Sequence, residues 1–264
     1  MKARRMTIKI TLVCLAVALL SLPLCAQSGV AVVNAASFEP QFPVAPGAWA
    51  TAFGDFASVG VSDTFATSVP FPTVLGGVQI FINNVASPMN FAGGGQINFL
   101  VPRETPTGRQ PLRVAVSGMN TFEGTVQVFE VSPGLLSLNP GDAAKPGAIL
   151  NVADDGVRTV NSEQNPARRG QSIEIFGVGA DFEELPENGA EAPLDRLIPT
   201  ATETKVFVSV AEAALQFSGL APGLVNAWQI NAVVPNESFV SGLVPVYASL
   251  GNLRTNSVSI WVEE

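Results

Sequence analysis

Gln96-Ile97-Asn98, closed by Val101-Pro102, returns as Gln229-Ile230-Asn231, closed by Val234-Pro235. Three more blocks recur in the same order. Asn34-Ala35-Ala36 matches Asn151-Val152-Ala153. Gly47 with Phe53-Gly54 matches Gly170 with Phe176-Gly177. Val78-Gln79-Ile80-Phe81-Ile82 matches Val206-Phe207-Val208-Ser209-Val210. Each half then ends on an alternating run, Val126-Gln127-Val128 and Val258-Ser259-Ile260-Trp261-Val262. The separation between matched blocks grows along the chain from 117 to 123, 128 and 133 residues. Such drift is what insertions gathered in surface connections produce. The expectation is two homologous units, residues 30–138 and 148–264, joined by a Pro/Gly-rich link at residues 139–147.

Period-two alternation dominates both units. Val78, Ile80 and Ile82 alternate with Gln79 and Phe81, and Leu112, Val114 and Val116 alternate with Arg113 and Ala115. Ile173 and Ile175 flank Glu174, and Val258, Ile260 and Val262 repeat the pattern. An alternating run of Val, Ile and Phe makes a half-buried strand. Gly76-Gly77, Asn83-Asn84, Gly93-Gly94-Gly95 and Asp155-Gly156 punctuate these runs. Asp155-Gly156 reads as a type I′ hairpin joining residues 149–153 to residues 157–160. Pro102 and Pro235 lack the N–H that a ladder needs, so each ends its strand. No helical stretch follows the leader. The fold class predicted is all-β: two tandem immunoglobulin-like antiparallel β-sandwiches.

Residues 1–26 read as a secretory signal peptide. Lys2, Arg4, Arg5 and Lys9 precede an apolar run from Ile10 to Leu22, shorter than the ~20 residues of a membrane span. Cys14 and Cys25, the two cysteines, lie within it, so the exported chain would carry no disulfide. Four of the 14 basic residues leave with the leader, so 10 remain against 22 acids and the net charge becomes −12. That balance repels nucleic acid and anionic membranes, and no later apolar run reaches spanning length. Histidine is absent, which removes imidazole catalysis and His-containing metal sites. No Gly-x-Ser-x-Gly elbow, Walker loop or dinucleotide fingerprint occurs.

The run Ser218-Gly219-Leu220-Ala221-Pro222-Gly223-Leu224, continuing to Gln229-Ile230-Asn231 and Val234-Pro235, resembles the Solibacter-type secreted C-terminal domain, a two-repeat family. Val33-Asn34-Ala35-Ala36-Ser37-Phe38, Asn165-Pro166-Ala167 with Gly170, and Val131-Ser132-Pro133-Gly134 fit it as well. The halves also resemble IPT/TIG-type immunoglobulin-like domains. The resemblance implies a secreted tandem β-sandwich protein. It implies no activity, so it supplies no functional residue.

The polar signature in both halves is the amide set Gln96, Asn98, Gln229 and Asn231. Its repetition points to satisfied backbone groups rather than sugar contacts. Asp181, Glu183, Glu184, Glu187, Glu191 and Asp195 form the densest acidic run, whose spacing fits no EF-hand and reads as a solvated loop rather than a calcium site. Asp154-Asp155-Gly156 reads as a turn, and Gly93-Gly94-Gly95 likewise. Of Trp49, Trp228 and Trp261, Trp261 is the one placed to stack on a sugar if its face is open, although packing at a domain edge is the reading preferred. No catalytic, cofactor-binding or metal-ligating residue is assigned, no cofactor is expected, and ligand-binding residues are left unassigned.

The function expected is a secreted, non-enzymatic binding, adhesion or scaffolding protein meeting an extracellular polysaccharide or a cell-surface protein. The alternatives are a carboxylate-dependent polysaccharide hydrolase and a purely structural spacer. The cysteine placement yields a direct test. The melting temperature of the exported chain should be the same with and without a thiol reductant, and a large shift would contradict the placement.

Overall fold

The computed structural model describes residues 29–39, 43–118 and 120–263. The signal-peptide reading of residues 1–26 lies outside them. Nine strands come first: β1 (Ala31–Asn34), β2 (Trp49–Phe53), β3 (Thr64–Phe65), β4 (Val78–Ile82), β5 (Val85–Ala86), β6 (Met89–Ala92), β7 (Gln96–Leu100), β8 (Gly108–Val116) and β9 (Asn120–Val128). Ten follow: β10 (Gly134–Leu135), β11 (Ile149–Val152), β12 (Arg158–Val160), β13 (Ser172–Val178), β14 (Thr204–Val208), β15 (Ala211–Leu220), β16 (Trp228–Val233), β17 (Gly242–Leu250), β18 (Leu253–Arg254) and β19 (Val258–Val262). Among the described residues the helical content is one 3-10 turn, Ala57–Val59. The chain is all-β, and every strand pairing is antiparallel.

In the first half, a sheet in the order β1-β2-β7-β6-β3 faces one in the order β5-β4-β8-β9. The alternation dictates this. Val78, Ile80 and Ile82 are fully buried, while Gln79 and Phe81 are half-buried. They meet Ala50, Ala52, Ile97 and Phe99 from the opposite sheet in one core. In the second half Val206, Val208, Val246 and Ile260 meet Ile173, Ile175, Trp228 and Ile230. Each fully buried aliphatic side chain contributes roughly 1.5–3 kcal/mol, so the two interiors hold the chain without cross-links. No residue belongs to both clusters.

The pairings repeat with the sequence. Thr51 faces Asn98 and Phe53 faces Gln96, just as Glu174 faces Asn231 and Phe176 faces Gln229. The Gly47 N–H donates to the Val101 carbonyl, and the Gly170 N–H to that of Val234. Parallel bridges Val44 to Val128 and Ala167 to Val262 occupy matching places. One block sits in a different register from the sequence match. Asn83 N–H donates to Pro111 O and Ser209 N–H to Pro245 O, so Ile82 corresponds to Val208 rather than Val210. The slip is two residues, which leaves the same side chains facing inward.

Two other expectations change. The hairpin after β11 has three loop residues, with Gly156 at φ 83° and Asp155 at negative φ. Gly156 N–H donates to Ala153 O, and Ala153 N–H to Val157 O. That is a type I turn followed by a left-handed glycine, not type I′. The domain limits also move. Gly134–Leu135 pairs with Val178 and Gly177, and Leu135 lies in the second core. The expected link at 139–147 is bound to the second sandwich, through Pro146 beside Ser259 and Ser137 beside Gly147. The connector is thus residues 129–133, and it is strapped down: Ser132 N–H donates to Gly179 O at 2.9 Å.

Gly179, at φ +75°, has no room for a Cβ, which would fall 1.9 Å from the Ser132 carbonyl oxygen. Gly179→Ala is expected to cost roughly 3 kcal/mol and lower the melting temperature by roughly 10 °C. Gly156→Ala, also at positive φ but with open space around it, should cost only about 1 kcal/mol. Thermal melts of the two variants check the difference.

Candidate functional site

Residues two apart on a strand share a face, and the two amide pairs use this. Gln96 Nε2 donates to Asn98 Oδ1 at 2.6 Å, and Gln229 Nε2 to Asn231 Oδ1 at 2.8 Å. The amides therefore bond to each other on the outer face of each copy, forming the same ladder, and among the described residues do not satisfy backbone groups as the sequence suggested. Trp228 is fully buried and donates to Ser218 Oγ at 2.9 Å. Trp49 crosses between the copies, donating to the Val225 carbonyl at 2.8 Å with its ring edge-on to Phe71. Trp261 is half-buried and faces Leu243.

The acidic run is drawn toward separate partners. Asp181 accepts from Thr202, Glu184 pairs with Arg196 and Glu187 with Arg103. Among the described residues no group of three or more acidic, His or Cys side chains is placed to hold a metal ion.

A shared feature missed in the sequence is Phe-x-Gly, in Phe91-Ala92-Gly93 and Phe217-Ser218-Gly219. Phe91 faces Asn98 and Phe217 faces Asn231, each beside a bulge. A Cβ on Gly93 or Gly219 would lie 2.6 or 2.5 Å from the ring two residues before it. The missing side chain lets each ring lie flat on its strand, the way an aromatic covers a strand glycine.

On this common frame the copies differ. In the first, Thr51 Oγ1 donates to Asn98 Oδ1 at 3.1 Å. In the second, Glu174 stands in the place of Thr51 and is only 4% exposed. Strand β12 carries Arg158 over it, and Arg158 Nε reaches both carboxylate oxygens at 2.9 and 2.8 Å, with Nη2 at 2.8 Å from Oε1. A carboxylate buried this deeply needs such a partner. In turn, its hydrogen bonds push the Arg158 guanidinium further up from its ordinary value. About half of the Arg158 side chain stays open to solvent. Arg158, Glu174, Gln229, Asn231, Phe217, Leu197 and Pro222 line a depression of about 460 Å³. Sequence reasoning found the two amides but not Arg158, Glu174 or Phe217. The readable signal was the exchange of Thr51 for Glu174 at matched positions.

The loop that supplies Leu197 is held at both ends. Ala192 N–H donates to Leu224 O and Leu220 N–H to Ile198 O, over a small apolar cluster of Ala192, Ile198 and Leu220. Upstream, the same loop grips the first sandwich. Arg103 Nη2 meets Glu187 at 2.7 Å, Arg103 N–H donates to Asn188 Oδ1, Asn188 Nδ2 donates to Glu104, and Phe71 N–H donates to Gly189 O. Glu187, and next Glu104, push the Arg103 guanidinium up. Burial alone would raise the Glu104 carboxyl, but the Asn188 amide, its own backbone N–H and Arg103 hold it below its ordinary value.

No family model matches the chain, and no curated protein does. Among solved structures it is similar to a Bacteroides ovatus mixed-linkage glucan utilization locus protein, SGBP-B, in complex with a mixed-linkage heptasaccharide. The identity is 11% and the TM-score 0.33, over 84% of this chain and 42% of that one. Domains 5–6 of the S-layer protein SbsC are 11% identical, with a TM-score of 0.29 over 89% and 96% of the two chains. Tandem Ig repeats of Dlar are 11% identical, with a TM-score of 0.21 over 89% and 98%. At these values the likenesses add nothing to the strand pairing.

Removing the Arg158 partner isolates the charge pair. Arg158→Ala strands a buried carboxylate and is expected to cost about 1–3 kcal/mol. Adding Glu174→Thr should recover most of that loss, because Thr51 serves the same ladder in the first copy. Denaturant melts of the single and double variants measure both effects.

Proposed function

We propose that the chain, in keeping with its resemblance to Solibacter-type secreted modules, is a non-enzymatic binding or scaffolding module that works outside the cytoplasm. Its partner is an extracellular polysaccharide or a cell-surface protein. The observation that carries the reading is the asymmetry of the two outer faces. Both copies keep the amide ladder and the aromatic on glycine, and the second alone adds a guanidinium held over a buried carboxylate, inside a depression with an apolar rim. Its lining joins four polar or charged side chains to three apolar ones, which supports a partner that presents both kinds of surface. The one carboxylate in it is tied to Arg158, which supports binding over acid–base work, since glycoside hydrolysis uses a pair of acids across a cleft.

The test is to incubate the exported chain with a glycan array, insoluble polysaccharides and a panel of chromogenic glycosides. Retention without release of product is the expected result. Turnover that a single Asp or Glu substitution abolishes would overturn the reading.

A further inference from the structure

We propose that the depression formed by Arg158, Gln229, Asn231, Phe217, Leu197 and Pro222 is a subsite for a neutral saccharide, with Glu174 as the residue that positions Arg158. The inference deepens the binding reading and rests on it. The duplicated frame separates what the fold needs from what this face adds. Thr51 completes the ladder in the first copy with no charge at all. The second copy instead buries a carboxylate, which carries a desolvation cost, and among the described residues no strand of the first copy corresponds to β12.

The ligand class follows from the groups presented. A sugar ring has a rim of hydroxyls, each donor and acceptor, and a face of C–H groups. Arg158 offers only donors, while the amides of Gln229 and Asn231 offer both donors and acceptors. Their mutual bond uses one N–H and one oxygen, leaving the Gln229 carbonyl oxygen and the Asn231 amide N–H groups to take other partners. Phe217 lies on its strand glycine and lines the depression beside Leu197 and Pro222, which supplies the apolar counterpart for C–H groups.

Charge selects against acidic sugars. Glu174 neutralises Arg158 at contact distance, and the chain as a whole carries a net charge of −8, so an anionic polymer is repelled. The floor of the depression does not take an added peptide strand either. β13 is paired on both sides by β11 and β16, and β16 by β13 and β15, so the strands that carry Glu174, Gln229 and Asn231 have no free ladder for strand addition. Recognition on this floor is through side chains.

The experiment titrates the folded chain by calorimetry with cellohexaose, laminarihexaose and mannohexaose, and with hexagalacturonate as the acidic counterpart. At least one neutral probe is expected to bind. Leu197→Arg, at a rim position 61% exposed, should weaken it at least 10-fold without touching the fold. Glu174→Thr, which keeps the ladder, should weaken it at least 5-fold. Val74→Arg, at a position 54% exposed in the first copy, should leave it unchanged. Binding indifferent to Leu197→Arg and Glu174→Thr overturns this site but leaves the binding module standing. Preference for hexagalacturonate overturns the neutral class, and no binding by any neutral probe overturns the saccharide inference. Cleavage of a probe removed by one carboxylate substitution overturns the binding module itself.

Discussion

The pairing of β2 with β7, and its copy between β13 and β16, is the constraint from which the rest of the molecule is built. These central strands are gripped on both sides, so their side chains have only two places to go. Ile97 and Phe99 go inward in one copy, Ile230 and Ala232 in the other. Gln96 with Asn98, and Gln229 with Asn231, go outward and bond to each other. The inner set closes a core and the outer set makes a fixed polar strip on which an aromatic lies flat. A one-residue change of register would invert both at once.

The two halves present matching strips, and their surroundings differ. The first turned its end toward the second, using Gly47, Trp49, Phe71 and Arg103. The second kept its strip open, added β12 as a side wall, and extended the loop before β14 into a rim. That loop touches both neighbours: it forms the rim at Leu197 and clasps the first sandwich at Glu187–Gly189. The first copy therefore acts as a buttress for the second.

Much of this was legible in the residues. The alternation around Ile80, Ile175 and Ile260 marks the all-β class, because short strands that bury one side pack their inner faces together. Gly47 and Gly170, and the paired Gln-x-Asn blocks, mark true equivalents. The offset of Val78–Ile82 was misread by two residues because a period of two hides a slip of two. The limit at 138 was misplaced because Leu135 looks like any other apolar residue until its partner Gly177 is known. Arg158 was invisible for a related reason. Its meaning comes from Glu174, 16 residues away in sequence and adjacent only after β11, β12 and β13 have paired.

Strand β15 joins the two sheets of the second sandwich. It pairs with β14 over Ala211–Ala213 and with β16 from Ala214 onward, so both layers lie on one continuous hydrogen-bonded path. In the first sandwich the equivalent segment is interrupted at Ser87-Pro88 between β5 and β6, and the two sheets are separate. Under mechanical load the two copies are therefore unequal. Shearing the layers of the second requires tearing a ladder as well as opening a core, whereas the layers of the first are joined, besides apolar contact, by isolated bridges such as Gly29 to Glu123 and Val44 to Val128. A chain pulled between two anchors would yield first in its amino-terminal half, while the half that carries the open face kept its shape.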